Sequence, residues 1–219
     1  MAASNDLPRF DRMTRWVHWT TAALFACCLL TAVALYVGPV ATAIGRRPLV
    51  SAIHVYAGFA LPVPALLGLL ARAFRANVQA LERFGRHDWR WLRSKHNRLG
   101  HLPIGKFNAG QKLNAAFTCG AILVMLGTGL MLWYPDPWPV QLRTGATFVH
   151  DWLALAFLIV VLGHLWFASR DGEARRGMRT GRVRKEWAWV EHPGWAAENE
   201  PTATDEETQA THGPPRDRQ

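Results

Sequence analysis

Charge is scarce in this 219-residue chain, only 19% of residues, and it is missing altogether from long stretches. Asp, Glu, Lys and Arg are absent from 16–37, 48–71 and 113–135, and 144–169 contains only Asp151. Each stretch is long enough to cross ~30 Å of hydrocarbon as a helix. That distribution excludes an ordinary water-soluble domain, although the mean hydropathy of the whole chain is near zero. Cysteine is scarce too. Cys27, Cys28 and Cys119 all fall inside uncharged stretches, and none forms C-x-x-C or C-x-x-C-H. Zinc ribbons, thioredoxin-type redox motifs and c-type haem attachment are therefore not implied. No carboxylate pair, nucleophile triad or phosphate loop is visible. The first uncharged stretch has 22 residues, too many for a signal-peptide core, and lacks a clear small-residue cleavage site after it. It reads as a retained span.

What is present is a four-span pattern. An arm, 1–15, precedes span 1 at 16–37. Span 2 is 48–71, where Pro62 and Pro64 predict a kink. A basic loop, 72–112, leads to span 3 at 113–135, and span 4 is 145–169. A basic, Trp-containing segment follows at 170–197, then an acidic tail, 198–219, of the composition that stays disordered. The fold class is an all-α integral membrane protein, a four-transmembrane-helix bundle. Of the 25 Lys and Arg, 22 lie in the arm, the long loop, the C-terminal segment and the tail. The positive-inside rule puts those segments and both termini in the cytoplasm. Trp16, Trp19, Trp133, Trp138, Trp152 and Trp166 lie near span ends, as an aromatic belt does. The net charge of +9 thus reports membrane orientation, and a nucleic-acid partner is not expected. Arg83, Arg86, Arg90, Arg93, Lys95 and Arg98 are expected to face anionic lipid headgroups or water.

Nine histidines occur. His87, His96, His101, His192 and His212 lie outside the spans and read as solvated polar residues. His18, His54, His150 and His164 lie inside them, where ionisable residues are costly and tend to be functional. Counted from the span ends, His18 and His164 have similar depth near the cytoplasmic face. His54 and His150 match near the outer face. His150 and His164 are 14 residues apart, roughly 21 Å at 1.5 Å per residue. Fourteen steps of 100° come within 40° of whole turns, so both imidazoles share one helix face. Two stacked bis-His haems require this arrangement. Gly58, Ala57, Gly127 and Gly163 would leave room for the macrocycles. Another metal, a proton relay or a structural role for these histidines stays open at this level.

Several runs carry a resemblance: R-F-D-R-M-T-R-W-V-H-W at 9–19, the intramembrane His54 and His150, G-H at 163–164, and above all G-K-F-N-A-G-Q-K at 105–112. Over 9–190 the chain resembles the di-haem cytochrome b (gamma) subunits of membrane-bound respiratory formate dehydrogenases. The resemblance implies a multi-pass subunit of the bacterial inner membrane holding two b-type haems. The periplasmic-side haem would take His54 and His150 as axial ligands, and the cytoplasmic-side haem His18 and His164. It implies a quinone reduced beside the cytoplasmic haem, near Asn108, Gly110 and His164, with Gln111 and Lys112 as weaker candidates. It implies partners: an iron–sulfur beta subunit and a molybdenum- or tungsten-containing alpha subunit that oxidises formate. On this reading the chain is not the formate-oxidising subunit, and quinone reduction occurs on it. The residues of 105–112 are compatible. Two glycines allow close approach of a ligand, Asn108 can donate to a quinone carbonyl, and Lys106 can meet a haem propionate. Without the resemblance the run reads as a helix start, with Lys112 snorkelling. Arg46, Arg47, Asp136 and Arg143 of the outer loops would meet the iron–sulfur partner or the outer propionates. Two alternatives are a cytochrome b subunit of a nickel-iron hydrogenase or other periplasmic oxidoreductase, and a haem-free membrane anchor or transporter.

Overall fold

The computed structural model of the chain describes residues 5–94 and 102–200. Lys95, His96, Arg98, His101, His212 and the acidic tail beyond residue 200 lie outside them. Four helical segments are long and apolar enough to cross a membrane. They are α1 (Arg12–Tyr36), the pair α3 (Arg47–Ala60) and α4 (Val63–Gly68), α7 (Ala109–Trp133) and α8 (Val140–Arg170), with α2 (Gly38–Ile44) between the first two. The chain is thus a multi-pass helical membrane protein. Both ends of the described chain, the start of α7 and the end of α8 share one side, called the basic side below.

Local chemistry sets the helix limits. At the start of α1, Asp11 accepts from the backbone N–H of Met13 at 3.0 Å, and the Thr14 hydroxyl also bonds to it. The helix therefore begins before the uncharged window, because a capped turn tolerates Arg12 and Arg15 at the headgroup level. In the second span, α3 stops at Ala60 and α4 starts at Val63. Pro62 and Pro64 lack the N–H groups that would bond to the carbonyls four residues back, so the helix breaks where a kink is predicted. Helix α4 rides directly on its neighbours. A Cβ at Gly68 would lie 2.8 Å from Val17 and 2.9 Å from Phe74.

The stretch 72–112, expected as a loop, contains two helices, α5 (Arg72–Glu82) and α6 (Arg86–Arg93). Phe74, Val78 and Leu81 recur at helical spacing on α5, which also carries Arg72 and Arg75, the pattern of an interfacial helix. Buried Asn77 ties α5 to α1 by donating to Thr14 Oγ1 at 2.9 Å.

Segment 170–197 is also built. It forms α9 (Gly172–Thr180), β2 (Arg182–Arg184), α10 (Lys185–Glu191) and α11 (Pro193–Asn199). Strand β2 pairs antiparallel with β1 (Asp6–Pro8), in register Asp6↔Arg184, Leu7↔Val183 and Pro8↔Arg182. The helical bundle thus carries a two-stranded clasp joining the N-terminal arm to the C-terminal segment. Arg176 reinforces it through a 2.5 Å ion pair with Asp6. The apolar core sits here, in Leu7, Val183, Ala188, Trp195 and Ala196. Across the spans Leu30, Leu123 and Ile159 are 71%, 64% and 62% exposed. Water drives burial in the clasp, whereas lipid tails solvate the outer faces of the spans.

Candidate functional site

Helix α1 packs on α3, α7 on α8, and α3 on α7. This arrangement brings the four intramembrane histidines together in two pairs. The His54 and His150 rings are 6.3 Å apart between centroids, at an interplanar angle of 65°. The His18 and His164 rings are 6.2 Å apart, at 60°. Between the two levels stands Phe157, seven residues from each histidine of α8 and 3% exposed. Its ring meets Phe25 of α1 at 4.9 Å and Phe117 of α7 at 5.4 Å.

The outer pair is held by threonines from the neighbouring helices. Thr31 Oγ1 bonds to the Cys27 carbonyl at 2.7 Å and to His54 Nδ1 at 2.9 Å. Thr128 Oγ1 bonds to the Val124 carbonyl at 2.8 Å and to His150 Nδ1 at 3.0 Å. Each hydroxyl has one hydrogen and gives it to its own helix, so it accepts from the imidazole. His54 Nδ1 also lies 3.2 Å from the Cys28 carbonyl, which can only accept. Both Nδ1 atoms are therefore the protonated ones, and both Nε2 lone pairs are free for a metal. Close packing continues at Gly129, where a Cβ would come 3.4 Å from His150. His18 and His164 have no hydrogen-bond partner among the described residues, and His164 is exposed.

An iron between each pair fits these spacings. A metal–imidazole bond of about 2.0–2.1 Å, with about 1.1 Å from nitrogen to ring centroid, puts two axial imidazoles roughly 6.3 Å apart. Added Cβ atoms at Gly58, Gly127 and Gly163 meet nothing within 4 Å, so these positions leave the open space expected of them. Ala57, by contrast, is buried in packing. Among the described residues, three buried guanidinium nitrogens have no hydrogen-bond partner, and the two near the histidine levels fit an anionic cofactor. They are Arg15 Nε, one turn before His18, and Arg143 Nε, two turns before His150 on the same helix face. Both are placed for carboxylates such as propionates. The histidines, threonines and arginines together suit a bis-imidazole porphyrin at each level.

A difference between the two threonines is testable. Thr128→Val leaves the His150 imidazole without its only hydrogen-bond partner among the described residues. Thr31→Val leaves His54 the Cys28 carbonyl. Loss of such a partner costs about 10–100-fold in metal affinity. Thr128→Val is expected to release haem to apomyoglobin faster by that factor, and Thr31→Val by less. The reverse ranking would contradict the hydrogen-bond reading.

The run 105–112 lies at the basic end of α7. Asn108 Oδ1 accepts from Gln111 N, and Gln111 Oε1 accepts from Asn108 N, both at 3.0 Å. The helix-start reading of this run is thus realised as a capping box. It leaves the Asn108 amide Nδ2 without a protein partner among the described residues. Gly110 is covered by Trp91, whose ring would lie 3.3 Å from an added Cβ. Lys112 does not snorkel freely: it pairs with Asp88 at 2.8 Å and donates to the Arg83 carbonyl at 2.8 Å. Lys106 lies with its Nζ 5.4 Å from the Phe10 ring centroid. Burial, helped by Arg9, pushes its ammonium down to about 8. The α7–α8 pair puts Asn108, Gly110 and Gln111 on the same side as His164, six residues before Arg170. His164 makes no hydrogen bond to them among the described residues. A cavity of about 370 Å³ adjoins the run, lined by Phe84, His87, Asp88, Trp91, Gly105 and Lys112 among others.

His192, expected to be solvated, is 2% exposed. Its Nδ1 donates to the Gly105 carbonyl at 2.8 Å and its Nε2 accepts from Arg9 Nη2 at 2.9 Å. Burial, with Arg9 beside it, lowers its pKa to about 3, so the ring is neutral. Arg9 is buried as well, and its guanidinium lies 4.9 Å from the Trp187 ring and 5.0 Å from the Trp195 ring. Aromatic faces shelter this cation. Desolvation still lowers its pKa to about 10.

Thr31, Thr128 and Arg9 escape a reading that considers histidines alone, and His192 is read by it as solvated although it is buried. A signal existed for the threonines. Each lies five residues before the outer end of its helix, Tyr36 or Trp133, so the depth matching that paired the histidines also pairs these.

The model of the prokaryotic cytochrome b561 family matches residues 9–181. The chain belongs to that family, a family of helical membrane proteins with b-type haem. It is 25% identical over 220 residues to the cytochrome b556(Fdn) subunit of the nitrate-inducible formate dehydrogenase of Escherichia coli K12, covering 95% of this chain and 99% of that one. It is 26% identical over 208 residues to the formate dehydrogenase cytochrome b556 subunit of Haemophilus influenzae, covering 89% of this chain and 85% of that one. A third relative is the cytochrome b556(fdo) subunit of formate dehydrogenase from E. coli K12, 20% identical over 207 residues.

Proposed function

We propose that this prokaryotic cytochrome b561 is the membrane-anchoring electron-transfer subunit of a formate dehydrogenase complex, taking electrons from a periplasmic iron–sulfur partner and delivering them through two b-type haems to quinone near the cytoplasmic face. The observation that carries this reading is the pairing of four histidines at two membrane levels, with separations of 6.3 and 6.2 Å. The formate dehydrogenase assignment rests on relatives matched over nearly their whole length. Formate oxidation is assigned to a molybdenum- or tungsten-containing partner, as the resemblance to formate dehydrogenase gamma subunits implies.

The bound haems supply reversible one-electron carriage. The chain's own residues do the rest. His54 and His150 present Nε2 lone pairs on the outer level, fixed in that tautomer by Thr31 and Thr128. His18 and His164 face each other on the basic level, their ring centroids 6.2 Å apart. Asn108 has an amide donor left after capping α7, suited to a quinone carbonyl, with Gly110, Gln111 and His164 around the same site. The basic side is cytoplasmic by the distribution of Lys and Arg. Both termini therefore face the cytoplasm of a bacterial inner membrane, where water supplies the protons that quinone takes up. Moving an electron inward against a positive-outside potential costs ~2.3 kcal/mol per charge per 100 mV. The redox drop from formate to quinone has to supply it.

The test is a difference spectrum of the complex purified from its native membranes. Formate should reduce b-type haem bands, at two haems per copy of this chain, and added quinone should reoxidise them. Absence of b-type bands would sink the reading in favour of a haem-free anchor. Bands that respond to hydrogen and not to formate would move the chain to a hydrogenase complex.

A further inference from the structure

The backbone that leads into Asn108 is held by groups distant in sequence. Three successive carbonyls accept hydrogen bonds from the clasp: Ile104 from Trp195 N at 3.2 Å, Gly105 from His192 Nδ1 at 2.8 Å, and Lys106 from Arg9 Nη2 at 2.8 Å. Because the Gly105 carbonyl can only accept, His192 Nδ1 is protonated and Nε2 is the acceptor for Arg9. Arg9 Nη2 thereby spends both hydrogens, one on Lys106 and one on His192. The contact is close as well as bonded. A Cβ at Gly194 would fall 2.9 Å from the Pro103 carbonyl oxygen. Arg9 is itself fixed at its backbone, since Arg9 N and Phe10 N donate to the Gly181 carbonyl at 2.8 and 3.1 Å. Gly181 adopts φ +84°, which favours glycine there.

We propose that Arg9 and His192 are a positioning pair for quinone: through the carbonyls of Gly105 and Lys106 they set the backbone from which Asn108 presents its amide. This rests on the quinone site proposed above and adds the part of the chain that holds it in place. Neither side chain touches quinone. Their contribution is to keep a short run without helix or strand hydrogen bonds of its own in one conformation. A small displacement of a positioned donor costs far more in rate than in stability. The pair also makes quinone binding depend on docking of both chain ends, because Arg9 comes from the N-terminal arm and His192 from the C-terminal segment.

The experiment compares Arg9→Lys, His192→Ala, His192→Asn and the double variant Arg9→Lys/His192→Ala with Asn108→Ser, all in the intact complex. Two readouts are taken: equilibrium binding of a short-chain quinone analogue, and hydrogen exchange of the Trp195 amide, which donates to the Ile104 carbonyl, together with the amides of Ile104 and Asn108. Haem content and formate-dependent dye reduction serve as controls and should stay at wild-type level. Arg9→Lys and His192→Ala are each expected to weaken analogue binding about tenfold or more and to speed exchange at these three amides, with α7 beyond Gln111 unchanged. The double variant should be no worse than the worse single one, because both side chains act on one backbone segment. His192→Asn, whose amide can replace the Nδ1–H donor, should recover part of the affinity. Unchanged exchange, or unchanged affinity where Asn108→Ser does weaken it, overturns the positioning role. If Asn108→Ser itself binds the analogue normally, the quinone site is misplaced and the pair's role in it falls with it. That failure is distinguished by which variant is silent.

Discussion

Replacing His54 or His150 with alanine is expected to leave one haem per chain instead of two. Replacing His18 or His164 should remove the other one. The two rings of each pair lie on different helices, α3 with α8 and α1 with α8, and their spacing leaves room for one iron between them. Loss of either imidazole deprives that iron of an axial bond and opens a cavity in its place. Haem extracted per chain, measured as its pyridine complex, should fall to about half in each of the four variants. The residual spectra should be alike within a pair and differ between pairs. His87→Ala, outside the spans, is the control and should retain both haems. If all four intramembrane variants retained two haems, these histidines would not be the ligands.

The second large effect concerns Asn108, whose side chain has two jobs that substitution can separate. Its Oδ1 caps α7 and its Nδ2 is available to quinone. Alanine removes both and costs about 0.5–2 kcal/mol of helix stability through the cap alone. Serine caps about as well as asparagine and lacks the amide donor. Both variants should keep two haems that formate reduces. Both should lower quinone turnover roughly 10²-fold, the usual cost of removing one positioned donor. Wild-type turnover in Asn108→Ser would show that capping is the only job of this side chain.

The spans were legible in the sequence because hydrocarbon imposes a strict rule. A segment crossing it needs about 20 apolar residues and satisfies its own backbone as a helix. Their limits were less legible. Charge marks where the hydrocarbon ends, whereas a helix runs on into the headgroups, as α1 does from Arg12 behind its Asp11 cap and α8 from Val140. Helices α5 and α6 escaped a reading keyed to uncharged runs, since interfacial helices mix arginine with aromatic and aliphatic residues. For the candidate site, the depth of each histidine followed from counting residues at 1.5 Å rise. Membrane thickness then permitted only one set of pairs.

His192 shows where such counting stops. In sequence it is one more histidine in a basic segment, and Arg9 is one more positive charge in a short arm. They meet across 183 positions because β1 pairs with β2 and brings the chain ends over the run 104–106. No local periodicity encodes that contact, since it depends on long-range strand pairing and on aromatic rings from three segments. By itself, the sequence determined the membrane class and the two histidine levels, because bilayer thickness acts on each span separately. Only the tertiary structure decided which hydroxyls fix the imidazole tautomers, which guanidiniums are buried and what holds Asn108 in place. Those outcomes depend on neighbours that the fold alone supplies.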